Sequence, residues 1–316
     1  MNSEMFVQLA LEALSCSQKE LAKRFGVSPT QISKWKKDEH MSLDMEEKFR
    51  SLLNIGDKNP AFVLWSGSIE NAVKWETLIH YLAKNALQEA ETGYTTAPLL
   101  DENGLLCFET FSALREIGVT LPKEFPKDLD LDYDDTDNED LWDKISENPY
   151  VATIYKIYKS LNDIYGFYAA YIADLIYDDE LDLFDSPAYD IESCLLSLAT
   201  SKTEDIPLPT PNFSQFKYRI TEEYKEWITT VKEKAFRAGI PLRAELLGLA
   251  YNSAGELGHE AEAESLGFNS SRVHPDIYMN ELLIGMRLIH QALPVIMKKL
   301  GIENEFELDT SELHLN

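Results

Sequence analysis

The stretch Gln18–Lys37 reads QKELAKRFGVSPTQISKWKK, and the spacing of its apolar residues decides what the amino-terminal part of the chain becomes. Leu21, Ala22 and Phe25 recur at three- and four-residue intervals, so they share one face of a first short helix. Ile32 and Trp35 do the same on a second. Between the two helices stand Gly26-Val27-Ser28-Pro29. Glycine accepts the left-handed conformation that ends a helix, valine is an apolar plug, serine can N-cap, and proline suits the first helical position. The segment is therefore expected to be two helices on one small core, joined by a tight turn.

Outside the apolar stripe of the second helix lie Pro29, Thr30, Gln31, Ser33, Lys34 and Lys37. Short amides, hydroxyls and lysines are the groups that contact base edges and phosphates. Six basic residues (Lys19, Lys23, Arg24, Lys34, Lys36, Lys37) face a single acid, Glu20, within this stretch. No other segment of the chain is so basic.

These residues resemble the helix-turn-helix of phage-repressor-type regulators (lambda repressor and Cro-like, the XRE class) over about residues 3–53. The resemblance implies that Gln18 touches a phosphate and that Ala22 is small so that the two helices can cross. It places Pro29, Thr30, Gln31, Ser33 and Lys34 at the base-facing start of a recognition helix. The expected DNA-binding set is Gln18, Lys19, Ser28, Pro29, Thr30, Gln31, Ser33, Lys34 and Lys37. Two residues depart from the pattern: Pro29 has no N–H to donate, and Trp35 is larger than the usual apolar residue there. An amphipathic helical hairpin used only for packing or protein contact is the alternative reading; the turn chemistry, small Ala22 and basic face together favour DNA.

Across all 316 residues the formal net charge is −26. Nine basic and nine acidic residues cancel within 1–58, so the whole excess falls on 59–316. An acidic body repels a phosphate backbone, which leaves DNA affinity to the amino-terminal module and offers a surface to a basic protein partner. Cys16, Cys107 and Cys194 are far apart, with no CxxC spacing and no histidine cluster along the chain, so neither a disulfide framework nor a metal site is expected. The segment MNSEMFVQLALEAL is acidic rather than basic and is not a signal peptide. No apolar run reaches the ~18 residues a membrane span needs. A cytoplasmic, nucleoid-associated protein without membrane contact is expected.

In chain order, Ser3 is expected to cap a helix carrying Phe6, Leu9, Leu11 and Leu14, and Ser17 to cap the first motif helix. Ser42 should open a fourth helix whose Leu43, Met45, Phe49, Leu52 and Leu53 close the core. Residues 54–60, with Gly56 and Pro60, read as the boundary between a 1–58 helix-turn-helix domain and a 61–316 body. From Ser68 to about Glu91, Ile69, Val73, Trp75, Leu78, Ile79, Leu82, Ala86 and Leu87 describe an amphipathic helix, either a core helix or a dimer strut. Asn103-Gly104, flanked by Leu99-Leu100 and Leu105-Leu106, is a hairpin signal. Phe111, Leu114 and Ile117 mark a short helix ending at Gly118.

Asp128, Asp130, Asp132, Asp134 and Glu139 fall at positions one, three, five, seven and twelve of an EF-hand loop, where oxygens can converge on calcium. Tyr133 stands where the sharp turn needs glycine, and Asp135 where an apolar anchor is needed, so a solvated acidic loop is the better reading. A helix over 149–178, rich in tyrosine and apolar round most of its circumference, should be the buried centre of the body. A helix near 187–199 follows, and Ile206–Pro211 is a proline-rich linker that marks a further subdivision at 202–213. Beyond it, helices are expected over 214–238, 241–255, 258–266 and 276–300, the last kinked at Pro294.

His259-Glu260 lacks the second histidine of a zinc-protease motif, and no phosphate loop or nucleophile elbow appears. The expected protein is mainly α: a four- to five-helix helix-turn-helix domain plus a larger all-α body that allows one small β-hairpin. Its expected role is sequence-specific transcription regulation, as a repressor-like, non-enzymatic homodimer on double-stranded DNA, without cofactors. The alternative is an interaction or effector protein that uses the motif only for targeting.

Overall fold

The computed structural model describes residues 3–133, 140–184, 186–238, 242, 244–268 and 275–302. The first four helices are α1 (Ser3–Ala13), α2 (Gln18–Phe25), α3 (Pro29–Trp35) and α4 (Leu43–Leu53). They converge on Phe49, whose fully buried ring stacks on Phe25 at 4.1 Å, tilts against Phe6 at 5.8 Å and meets the edge of Trp35 at 6.1 Å. Each helix thus contributes one aromatic to a single contact point. Trp35, large for its position, is accommodated there, and its Nε1 donates to the His40 carbonyl at 3.2 Å.

Two local expectations for this module are corrected. Ser3 lies inside α1 rather than capping it; its hydroxyl bonds Asp38 Oδ1 and the Glu39 carbonyl, tying α1 to the turn after α3. Ser42 opens α4 as expected, standing at its N-cap in extended geometry without a side-chain cap bond. Leu43 is 77% exposed and Leu52 is 39% exposed. Phe49, Met45 and Leu53 form the inward stripe at four-residue spacing, and Leu43 sits about 120° round the helix from Phe49.

The remaining helices are α5 (Pro60–Trp65), α6 (Ile69–Gln88), α7 (Ala97–Leu100), α8 (Leu106–Glu116), α9 (Leu141–Ile145), α10 (Pro149–Tyr171), α11 (Ala173–Ile176), α12 (Leu195–Lys202), α13 (Phe213–Ala238), α14 (Gly248–Tyr251), α15 (Ala254–Ser265) and α16 (Pro275–Leu300). Turns of 3-10 helix occupy Lys127–Leu129, Pro187–Cys194 and Ala244–Leu247. Among the described residues there is no strand. The Asn103-Gly104 signal is a helix–helix turn, not a hairpin: Asp101 takes the left-handed conformation that ends α7, and its Oδ1 accepts from the Leu106 N–H at 2.9 Å, starting α8. A carboxylate reaching forward to the next helix overrides the local hairpin preference.

Helix α10 is the axis of the body, with α6, α12 and α15 packed around it. As its composition predicts, most of its circumference is buried, though the helix breaks at Ile172 before α11. Gly258 of α15 lies directly against the Asp163 side chain of α10, where a Cβ would not fit, so this pair of helices approaches more closely than any larger residue permits. Helix α6 is a core helix: Trp75, Leu78, Ile79 and Leu82 are buried, while Val73 faces solvent. Trp75 meets the rings of Phe111, Phe125 and Tyr150 at 5.0–5.9 Å, joining α6, α8 and α10. The expected 241–255 helix is instead a 3-10 turn followed by α14 and a fresh start at Ser253, which with Glu256 forms a capping box for α15. Helix α16 continues through Pro294.

Helix α1 packs on α5, and the buried apolar cluster runs without a break from Phe6 to Ala261. Residues 54–58 are held rather than loose. Arg50 donates to the Gly56 and Lys58 carbonyls at 2.8 and 2.9 Å, and Lys58 pairs with Glu76 of α6.

Burial pushes the carboxyl of Asp163 up to about 6 and that of Glu260 up to about 7, the latter aided by Glu245 and Glu256 nearby. Between the ordinary values of 3.8 and 4.5 and these, the folded chain holds protons that the unfolded chain releases. Stability from these groups is therefore greatest at the acid end of that window and falls as pH rises through 6 to 7. The melting temperature at about pH 5.5 should exceed that at about pH 8. Glu260→Gln should flatten the difference.

Candidate nucleic-acid interface

Each end of the α2–turn–α3 unit is fixed by the chemistry its sequence supplies. Ser17 and Glu20 form a reciprocal capping box at the start of α2: the Glu20 carboxylate accepts from the Ser17 N–H at 2.7 Å, and the Ser17 hydroxyl accepts from the Glu20 N–H at 3.4 Å. The Ser17 backbone N–H, followed by its hydroxyl, holds the Glu20 carboxyl below its ordinary value. Gly26 closes α2 at φ 66°, ψ 31°, with its N–H turned to the Ala22 and Lys23 carbonyls. Ser28 then caps α3 by accepting from the Gln31 N–H at 3.2 Å, with Pro29 at the first helical position.

Ala22 is buried, as are Leu21 and Ile32, and α2 packs on α3. Burial of Ile32 and Trp35 orients α3 and turns its opposite side outward. Pro29, Thr30, Ser33, Lys34 and Lys37 are exposed there, and Gln31 is half-buried. Lys19 is exposed and Gln18 half-buried at the start of α2.

Within the expected set the side chains are engaged differently. Ser28 is committed to its cap, and the Ser33 hydroxyl donates back to the Pro29 carbonyl at 3.1 Å. Lys34 pairs with Glu39 at 3.5 Å, both side chains about half exposed. Such an exposed pair is worth well under ~1 kcal/mol and yields readily to a phosphate. Thr30 faces outward from the first turn, and Gln31 beside it is half-buried. Of the six basic residues in this stretch, Lys34 is the one with an ion-pair partner among the described residues, so the positive charge is left to solvent. Glu39 lies outside the stretch whose charge marked this face, so its claim on Lys34 was not legible from it.

The described part of the acidic run is engaged in packing contacts. Asp128 accepts from Asn148 at 2.8 Å and Asp130 pairs with Lys74 at 2.7 Å, so these carboxylates hold the loop to α6 and to the start of α10. Asp134 and Glu139 lie outside the described residues. All three cysteines are free thiols: Cys16 half-buried, Cys107 buried, Cys194 exposed.

Residues 7–47 match the family described as Helix-turn-helix. The amino-terminal module is thus a helix-turn-helix module in sequence as well as in shape. Compared with curated proteins and with solved structures, the chain finds no match. No helix among the described residues is long and apolar enough to cross a membrane.

The cap bonds separate residues that build the interface from residues that only line it. Ser28→Ala should lower stability by about 1 kcal/mol, whereas Thr30→Ala should change it by less than ~0.5 kcal/mol. Phe49→Ala, removing the ring on which four helices meet, should cost about 3–5 kcal/mol. Urea unfolding of the three variants measures all of these.

Proposed function

We propose that the chain is a sequence-specific DNA-binding transcription regulator whose α3 enters the major groove. The observation that carries this reading is the outward face of α3. A capped, rigidly seated helix presents Thr30 and Gln31 to base edges, with Lys34 and Lys37 on the same side and Lys19 at the start of α2 for phosphates. Charge supports the same division of labour. The body carries the whole net −26 and repels phosphate, so contact is confined to the module's basic face.

The homodimeric arrangement is supported by α16. Leu282, Met286, Ile289, Leu293, Val295 and Leu300 are all exposed on this helix, and an apolar helix on a water-soluble surface is stabilised by burial against a partner. Two modules related by a twofold axis suit a palindromic site with half-sites about one helical turn apart. The body, in this reading, serves assembly and contact with further partners rather than catalysis.

Gel shifts on selected duplexes should show binding that weakens steeply with salt. Thr30→Ala and Gln31→Ala should relax base preference by about 1–3 kcal/mol, while Lys19→Ala and Lys37→Ala should weaken all sequences alike and reduce the salt slope by about 1 each. Binding to no duplex, or equal effects of all four substitutions on random DNA, would overturn the assignment. Light scattering should give twice the chain mass, reverting to the chain mass in Met286→Asp/Ile289→Asp; an unchanged mass in that variant removes α16 from the interface.

A further inference from the structure

Histidine, aspartate and cysteine side chains distant in sequence meet on the body beside the module boundary. His80 lies on α6, Asp101 ends α7 and Cys107 lies in the first turn of α8. One potential ligand atom from each lies within 4.8 Å of the others. We propose that His80, Asp101 and Cys107 form a binding site for a divalent transition-metal ion of the zinc class.

Donor chemistry carries the choice of ion. An imidazole nitrogen, a carboxylate oxygen and a thiolate sulfur form a mixed set suited to zinc, cobalt or nickel, whereas calcium and magnesium take oxygen alone. A thiolate and a carboxylate together also neutralise a doubly charged ion. In a tetrahedral site with zinc-like bond lengths the donors stand roughly 3.3–3.8 Å apart. Donors at the 4.8 Å limit close by about 1.0–1.5 Å to reach this, while His80 Nε2 and Asp101 Oδ2, now 2.8 Å apart, open by about 0.5 Å, and a turn of the half-exposed His80 ring supplies such movement.

The surroundings hold the donors in place. Asp101 uses Oδ1 for the Leu106 N–H at 2.9 Å and turns Oδ2 to His80 Nε2 at 2.8 Å, so one oxygen is anchored while the other faces the site. A carboxylate fixed from behind in this way is how metal sites keep their ligands oriented. The left-handed Asp101 and Gly104 fold residues 101–106 into the tight turn that brings Asp101 and Cys107 together. Cys107 is buried and Asp101 nearly so, while His80 opens the site to solvent as a path of entry and as the ion's remaining position. On binding, the Cys107 S–H proton passes to solvent as the sulfur–metal bond forms, and any proton shared between His80 Nε2 and Asp101 Oδ2 leaves likewise; no oxidation state changes.

The site stands independently of the DNA-binding reading. Cobalt(II) added to the reduced full-length chain should give a near-ultraviolet thiolate-to-metal charge-transfer band and the visible bands of a tetrahedral site, saturating at one ion per chain and abolished by zinc(II). Cys16→Ser/Cys194→Ser should keep these bands and Cys107→Ser should lose them. His80→Gln, on the exposed side and harmless to the fold, should weaken cobalt affinity at least about tenfold. Absence of the charge-transfer band in the natural chain, or its survival in Cys107→Ser, overturns the proposal. Should Cys107→Ser not fold, an affinity unchanged in His80→Gln does the same.

Discussion

The amino-terminal module depends on one ring. Phe49 is the point where Phe6, Phe25 and Trp35 meet, so α1, α2, α3 and α4 are each fixed by an aromatic contact with the same residue. Helices as short as α2 and α3 are unstable alone, because nucleation is costly and few backbone bonds follow it. Their persistence rests on this shared core and on the serine and glycine caps at their ends. What α3 presents to solvent is consequently set by what it buries: with Ile32 and Trp35 inward, Thr30 and Lys34 face out.

That core is not isolated. Arg50, the residue after Phe49, lies over the Phe6 ring and reaches across to the Gly56 and Lys58 carbonyls, and Lys58 pairs with Glu76 of the body. Helix α1 rests on α5, whose Phe62 joins the aromatic group around Phe111 and Trp75. Within the body the buried amide of Asn162 sets register. Asn162 of α10 accepts from Thr96 at 2.7 Å and donates to the Ala86 carbonyl of α6 at 2.6 Å, an arrangement that a slip of either helix would leave unsatisfied. The acidic body is therefore a packed helical scaffold.

Much of the module was legible in the sequence because its signals are local. Ser17, Gly26, Ser28 and Pro29 act on the backbone within a few residues, so their types alone announce the turn they make. The long helix α6 was legible for a related reason, because a stripe repeated over several turns can bury only one way, and α10 because a helix apolar round most of its circumference belongs in a core. The errors fall where a contact beyond the nearest neighbours overrides the local preference. Ser3 bonds the turn beyond α3 instead of its own helix, Leu43 is turned away by the demands of Phe49, and the Asn103-Gly104 turn joins two helices because Asp101 reaches to Leu106.

By itself, then, the sequence determined the mainly helical class, the helix-turn-helix and the partition of charge between a basic face and an acidic body, since these follow from residue type and periodicity; that the Asn103-Gly104 turn joins helices rather than strands came only with the structure. Only the tertiary structure decided that Lys34 pairs with Glu39 and that Gln31 is half-buried, and which apolar residues of α16 lie in solvent. It also decided that His80, Asp101 and Cys107 meet at one point. No spacing rule announces that meeting, because it depends on how α6, α7 and α8 pack, and packing is settled by the whole core rather than by any stretch of the chain.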